Sequence, residues 1–531
     1  MATNAQHPEG GPYNAAQDLI ERNLHAGRGE KIAYIDDHGA YSYAELAQRV
    51  VRFASGLRAA GIQPEQRVLL CMHDTIDFPV AFLGAIWAGA VPVPVNTLLT
   101  AADYDYMLRH SRARALFVAQ PLLPTFAPLL AALPQLATVV VSGAEAAPHA
   151  ALADFVAGGS PQAPAAETVA DDICFWLYSS GSTGRPKGAV HLHRSLIYTA
   201  EKFGRDVLGM READVVFSAA KLFFAYGLGN ALSFPLAVGA TTVLMAERPT
   251  PAAVWRRLAA ADAERRPTIF CGVPTLFAAM LAAPELPPAQ EVRLRVCTSA
   301  GEALPKDLGE RWRAHYGIDI LDGIGSTEML HIFLSNRPGA VRYGSTGQPI
   351  DGYQLKLLDE NGAMPNAGEI GELYVRGDSS AILYWADRAR SLATFQGEWT
   401  RTGDKYSIDA DGYYIYAGRS DDMLKVGGIY VSPFEIESAL NAHPDVMEAA
   451  VIGVADREQL IKPKAYVVLK PGAVAGDALL SELQQFVKSR LAPYKYPRSI
   501  EFVADLPKTA TGKIQRYKLR ALAQSAIAHP E

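Results

Sequence analysis

Two lysines, two carboxylates, one arginine and a hydroxyl-rich glycine loop are the groups in this 531-residue chain whose types and spacing could handle a polyphosphate. Between apolar runs over 173–177 and from Ala189 onward lie Ser179, Ser180, Gly181, Ser182, Thr183 and Gly184, followed by Arg185, Pro186, Lys187 and Gly188. Glycines expose backbone N–H groups without bulk, hydroxyls add donors and Lys187 adds charge, which together can cradle phosphate oxygens. A Walker loop needs Gly-Lys followed directly by Ser or Thr, whereas here Pro186 precedes Lys187 and Gly188 follows it. Composition alone would equally suit a Ser/Gly-rich surface linker.

Four further stretches carry chemistry of matching kind. Gly301, Glu302 and Ala303 follow an apolar strand and are expected to open a helix with backbone donors facing a crevice; a helix N-terminus with favourable charge placement is the plainer reading. Asp322, Gly323, Ile324, Gly325, Ser326, Thr327 and Glu328 read as a Gly-rich turn that sets a hydroxyl beside a carboxylate. Next to a polyphosphate such a carboxylate is most useful as an oxygen ligand for Mg2+, though a capping turn has the same residues. Asp404 can accept both vicinal hydroxyls of a ribose and Arg419 can donate to them, or the two form a surface ion pair. Lys513 stands in a Gly/Thr turn near the C-terminus, where a lysine taken alone is usually exposed.

The elements that must position these groups come in alternating series. Expected strands over 67–72, 91–96, 115–118 and 138–141 and helices over 44–57 and 77–90 make a strand-helix-strand series apolar enough for a covered parallel sheet. A loop rich in Ala, Pro and Gly is expected over 144–166. A second series has strands over 215–218, 241–245, 268–272 and 294–298, with helices over 229–238, over 251–263 and near Leu276. The fold class is therefore α/β, doubly wound, with ligands at the carboxyl ends of strands. Gly-punctuated strands over 354–358 and 372–375 suggest a small β subdomain. Beyond Asp421 a compact α+β lid is expected, giving an N-terminal domain over 1–420 and a C-terminal one over 421–531, with the hinge placed near 418–422.

At this length more than one core is needed. The net charge of -6 argues against nucleic acid as the main partner. No signal-peptide pattern and no bilayer-spanning apolar run is present, so no membrane partner and a cytoplasmic location are expected. Cys71, Cys174, Cys271 and Cys297 show no paired spacing and read as reduced core residues.

The motifs, in this order over about 41–519, resemble those of the adenylate-forming superfamily of acyl-CoA synthetases, luciferases and peptide-synthetase adenylation domains. That resemblance implies an enzyme: an AMP-forming acid-thiol ligase using ATP with Mg2+. It places residues 179–184 and Lys187 on the phosphates, Gly301, Glu302 and Ala303 against adenine, Asp322, Gly323, Asp404 and Arg419 elsewhere on the nucleotide, Thr327 on phosphate, Glu328 on the metal, and Lys513 as catalytic lysine. Ile324 stands where a tyrosine is common, so aromatic stacking on adenine has no counterpart there. It also implies that the lid rotates about Asp421, that Gly427 and Gly428 line the CoA tunnel, and that Phe224, Ala225, Tyr226, Gly227, Gly325, His331 and Ile332 line the acyl pocket.

Aromatic Phe224 and Tyr226 beside small Ala225, Gly227 and Gly325 would make a short flat slot suited to a ring carboxylate. Core packing is the commoner fate of such a cluster. The stretch over 219–243 is similar to that of aromatic-degrading bacteria's benzoate-CoA ligases, which implies benzoate as acid and CoA as thiol, in a monomer or homodimer. Ligases for other aryl, cyclic or fatty acids, an adenylation enzyme loading a carrier protein, and a nucleotide-binding regulator without catalysis are the alternatives.

Overall fold

Local caps set several helix starts before tertiary packing acts. The Ser42 hydroxyl accepts the Glu45 N–H while Glu45 accepts the Ser42 N–H at 2.7 Å, starting the helix Tyr43–Ala59. Thr100 and Asp103 do the same for the helix Ala101–Ser111. The helix Asp77–Ala88 is apolar on every side and buried from Phe78 to Ala88, and Gly89 ends it at φ 83°.

The computed structural model describes residues 11–143, 146–179, 185–420, 422–426, 429–455, 461–492, 495–508 and 514–528. A five-stranded parallel sheet has the order Val91–Pro94, Arg67–Cys71, Ala115–Ala119, Thr138–Ser142, Ala150–Ala151. A nine-stranded sheet runs Gln348–Pro349, Ile332–Ser335, Ile320–Gly325, Val296–Ser299, Ile269–Gly272, Val215–Ser218, Thr241–Val243, Ile32–Ile35, Ala40–Ser42. It is parallel from Ile320–Gly325 through to Ile32–Ile35 and antiparallel at both edges. From Val215–Ser218 the chain passes to Thr241–Val243 on one side, then back to Ile269–Gly272 on the other. Such a reversal opens a crevice at the carboxyl ends of the strands, here Ser218, Gly272 and Ser299.

The hairpin Ile173–Ser179 with Lys187–Leu192 takes Leu383–Tyr384 as a third, antiparallel strand. The β subdomain is a sheet of Gln354–Leu358, Gly371–Arg376, Trp399–Ile408 and Phe395–Gln396, with Tyr414–Arg419 also paired to Trp399–Ile408. Further on, Val446–Ala455, Ile461–Leu469 and Ser499–Phe502 form a sheet beside the helices Pro433–Asn441, Asp477–Lys488 and Arg516–Ala528. The hydrophobic clusters separate likewise: four draw on residues between Tyr13 and Tyr414, and two on residues between Leu424 and Ala523.

Several sequence expectations need correction. The stretch over 144–166 is not all loop, since Ala150–Ala151 extends the parallel sheet and the helix Leu152–Ala157 sets Phe155 edge-on to Phe53 and Phe117. Helix 229–238 begins as a π turn over Gly229–Ser233. The helix from Pro251 ends at Leu258 rather than running to 263. Gly301, Glu302 and Ala303 do not open a helix, because Pro305 caps one that starts at Lys306. Asp322 and Gly323 lie within the strand Ile320–Gly325 rather than in a turn. Strand Ile32–Ile35 pairs on one side with the nearby Ala40–Ser42 and on the other with Thr241–Val243, some two hundred residues on, a pairing no local pattern signals.

Candidate active site

Ser179 and Lys187 are cross-strand partners at the end of their hairpin, whose two strands are mostly buried. Ser180, Gly181, Ser182, Thr183 and Gly184 lie outside the described residues, as do Asp421, Gly427, Gly428 and Lys513. The helix Ala101–Ser111 braces both stems: the Tyr106 hydroxyl donates to the Pro186 carbonyl at 3.2 Å, and His110 Nδ1 lies 2.8 Å from the Tyr178 hydroxyl. Burial lowers the His110 pKa, which favours the neutral ring.

Glu328 stands on the connection between Ile320–Gly325 and Ile332–Ser335 and faces the hairpin. Its Oε1 accepts from the Tyr384 hydroxyl at 2.6 Å and from the Ser179 hydroxyl at 3.3 Å, with Lys187 Nζ at 3.9 Å. Lys187 donates to the Tyr384 oxygen at 3.2 Å and lies 4.4 Å from the centre of that ring. Burial pushes the Glu328 carboxyl up, but Lys187 and the Tyr384 hydroxyl outweigh it and hold the group below the usual glutamate value. Lys187 is lowered by burial, with Glu328 opposing. Thr327 is fixed through its carbonyl, which accepts from His191 Nε2 at 2.8 Å. Burial brings the His191 pKa down to about 4, and its ring stacks on Phe175. The turn carries Leu330 at φ 63°, an unusual conformation for a leucine.

Asp322 is buried where its strand pairs with Ser299. Burial pushes its carboxyl up to about 8 against the N–H groups of Leu304 and Gly323, and its Oδ1 and the Ser299 hydroxyl are buried without a hydrogen-bond partner. Polar atoms in that condition cost free energy unless something polar meets them. Gly301, Glu302 and Ala303 follow Ser299 in an open turn, with Gly301 at φ 95°. Asp404 and Arg419 are cross-strand partners, and Arg419 Nη1 donates to Asp404 Oδ1 at 2.9 Å.

Ala225–Leu228 forms a short helix after Ser218, leaving Phe224, Ala225 and Tyr226 half-buried. A Cβ on Gly227 would lie 2.1 Å from the Lys221 carbonyl oxygen, and one on Gly325 would lie 2.4 Å from that of His331. His331 is boxed by Phe234, Phe203 and Tyr226 at ring-centre distances of 4.5, 5.1 and 5.5 Å. Burial lowers its pKa to about 3, so the ring is neutral and Nε2 donates to the Tyr226 carbonyl at 3.3 Å. A Cβ on Gly229 would come within 2.4 Å of the His331 ring, so glycine is what lets that ring lie there. Ile332 is buried and approaches Gly323. The Tyr226 hydroxyl is buried without a hydrogen bond.

The structure thus brings Ser179, Lys187, Thr327 and Glu328 together, pairs Asp404 with Arg419, and gathers Tyr226, Gly325, His331 and Ile332. Sequence reasoning missed Tyr384, His191, Tyr106 and His110; His191 follows Lys187 by four residues in the same strand, and the other three stand in no run that marks them as chemical. Among the described residues no group of three His, Cys, Asp or Glu side chains could hold a metal, and no helix is long and apolar enough to cross a membrane. All four cysteines are buried and unpaired.

A doubly wound sheet with a hairpin that sets Lys187 beside Glu328 is a fold and site that can be compared with known proteins. The chain belongs to the AMP-binding enzyme family, which matches residues 20–385, and the AMP-binding enzyme C-terminal domain matches residues 435–513. It is 64% identical over 511 residues to a benzoate–CoA ligase of Thauera aromatica, with 96% of each chain covered. A benzoate CoA ligase structure from Burkholderia xenovorans LB400 is similar at a TM-score of 0.89 and 55% identity, over 96% of this chain and 100% of that one. The anthranilate CoA ligase AuaEII in complex with anthranoyl-AMP reaches a TM-score of 0.92 at 44% identity, over 98% of both.

Proposed function

We propose that this AMP-forming ligase joins benzoate to CoA, converting ATP, benzoate and CoA to benzoyl-CoA, AMP and pyrophosphate through benzoyl-AMP. The observation that carries the acid is the cluster of Tyr226, Gly325, His331 and Ile332, in which two rings pack 5.5 Å apart beside a glycine that leaves no room for a side chain. No Lys or Arg is among these four, which suits an aromatic ring without a second charged substituent.

A carboxylate has no good leaving group until an anhydride is made. In the first half-reaction the benzoate oxygen attacks the α-phosphorus, and pyrophosphate departs with the electron pair of the broken P–O bond. Ser179, Lys187 and Thr327 face the phosphates and balance charge that grows on the leaving oxygens. Glu328 would hold Mg2+: it is ionised, offers a hard oxygen, and stands alone as a carboxylate there, which suits a cation that keeps waters and phosphate oxygens as its other ligands. When bound, Mg2+ neutralises phosphate charge. Asp404 and Arg419 meet the ribose, and Asp322 with Gly301, Glu302, Ala303 and Gly323 meets the base side. Lys513 is assigned by its motif as the cation at the α-phosphate.

In the second half-reaction the CoA thiol attacks the carbonyl of benzoyl-AMP and AMP leaves. A division into 1–420 and 421–531, turning about Asp421, would withdraw Lys513 and bring Gly427 and Gly428 to the thiol path. Separate hydrophobic clusters on the two sides support that division. The pocket is tested by Tyr226→Ala, which should raise the Michaelis constant for benzoate on the order of tenfold or more and leave that for ATP unchanged. Parallel changes in both would contradict the placement.

A further inference from the structure

Lys187 and Glu328 have opposite charges in a largely buried site, yet their closest atoms are 3.9 Å apart, well beyond the usual contact of such a pair. The gap is bridged by one hydroxyl. Tyr384 accepts from Lys187 at 3.2 Å and donates to Glu328 at 2.6 Å, while its ring lies against the ammonium. The side chain has little freedom to do otherwise. Its strand pairs with the strand of Lys187 through Tyr384 and Ala189, and its backbone N–H donates to the Ser391 hydroxyl at 2.9 Å. Phe395 packs 5.2 Å from the ring centre, and the residue is 3% exposed.

We infer that Tyr384 is a positioning residue that keeps Lys187 and Glu328 from closing on each other, so that the lysine stays available to phosphate and the carboxylate to the metal. The inference rests on Glu328 being the Mg2+ ligand. A direct ammonium–carboxylate pair would neutralise both partners in advance, and Mg2+ with ATP would have to break it. An intervening hydroxyl satisfies both groups and is more easily given up, because it is neutral. Tyr384 itself touches no reacting atom in this account.

The test uses the full-length protein and Tyr384→Phe, which keeps the ring and removes the hydroxyl. Calorimetric titration of ATP over a series of Mg2+ concentrations, without benzoate or CoA, gives the concentration at which binding is half-maximal. The expected result is a rise of about tenfold for Tyr384→Phe, the scale of one charge-assisted hydrogen bond, with benzoate binding unchanged and a crystal structure of the variant showing Lys187 in direct contact with Glu328. In a Lys187→Met background the same change should leave the Mg2+ dependence unmoved, since no pair can close; a merely structural role would shift it in both backgrounds. Glu328→Gln separates the two layers. If it shifts the Mg2+ curve and Tyr384→Phe does not, the inference is overturned and the metal assignment stands. If Glu328→Gln leaves the curve in place, the metal assignment fails and the inference with it.

Discussion

Burying Glu328 would by itself raise its pKa and weaken it as a cation ligand, and the groups around it reverse that trend. The histidines beneath the site work the opposite way: they are useful because they stay neutral. His191 holds the Thr327 carbonyl and His331 the Tyr226 carbonyl, each through Nε2–H. Unfolded, both would protonate near the ordinary histidine value of about 6.5. Their folded values are lowered, to about 4 and about 3, so the unfolded chain binds more protons below about pH 6.5. Stability therefore falls as pH drops from there toward those values, by about 1.4 kcal/mol per pH unit and histidine. Replacing His191 by Gln removes one share of that loss. Its stability deficit, read as the shift in urea midpoint at about pH 7.5 and about pH 5, should shrink at the lower pH; a deficit that stays constant or grows would contradict a buried neutral ring.

At the scale of elements, the hairpin Ile173–Ser179 with Lys187–Leu192 is a presenting device whose aim depends on the helix Ala101–Ser111 behind it. His110 and Tyr106 lie one turn apart with their rings stacked at 5.1 Å, so one helix face reaches both stems. His110→Ala should raise the Michaelis constant for ATP about fivefold, the worth of one hydrogen bond, with the constant for benzoate unmoved; steady-state kinetics varying each substrate in turn would expose an equal effect on both. Lys187, Glu328, Asp404 and Arg419 were legible in the sequence because each sits in a contiguous run punctuated by glycine. Most strands and helices were legible because their apolar runs are bounded by turn residues. Tyr384 was not: it reaches Glu328 across 56 residues and Lys187 across 197, by way of a two-residue strand with no periodicity to detect. The Gly301 turn was misread for a comparable reason, since Pro305 moves the helix start to Lys306.

For the whole molecule, the two half-reactions make conflicting demands on the same carbonyl. A cation must sit near the α-phosphate in the first, and a thiol must have a clear path in the second. One division of labour satisfies both: Lys513→Ala should lower adenylation by about 10²–10³ while thioester formation from supplied benzoyl-AMP is spared. Asp421→Pro, stiffening the hinge, should do the reverse, with pyrophosphate exchange retained and benzoyl-CoA formation crippled. Following the half-reactions separately checks both; equal losses in the two steps for either variant would count against a turning lid.

The most direct measurement of the central claim is pyrophosphate release from ATP and Mg2+ with benzoate, run with and without CoA, and with palmitate in parallel. The account predicts sustained release on benzoate only when CoA is present, and none on palmitate. Turnover on palmitate, or release on benzoate that is indifferent to CoA, would contradict it.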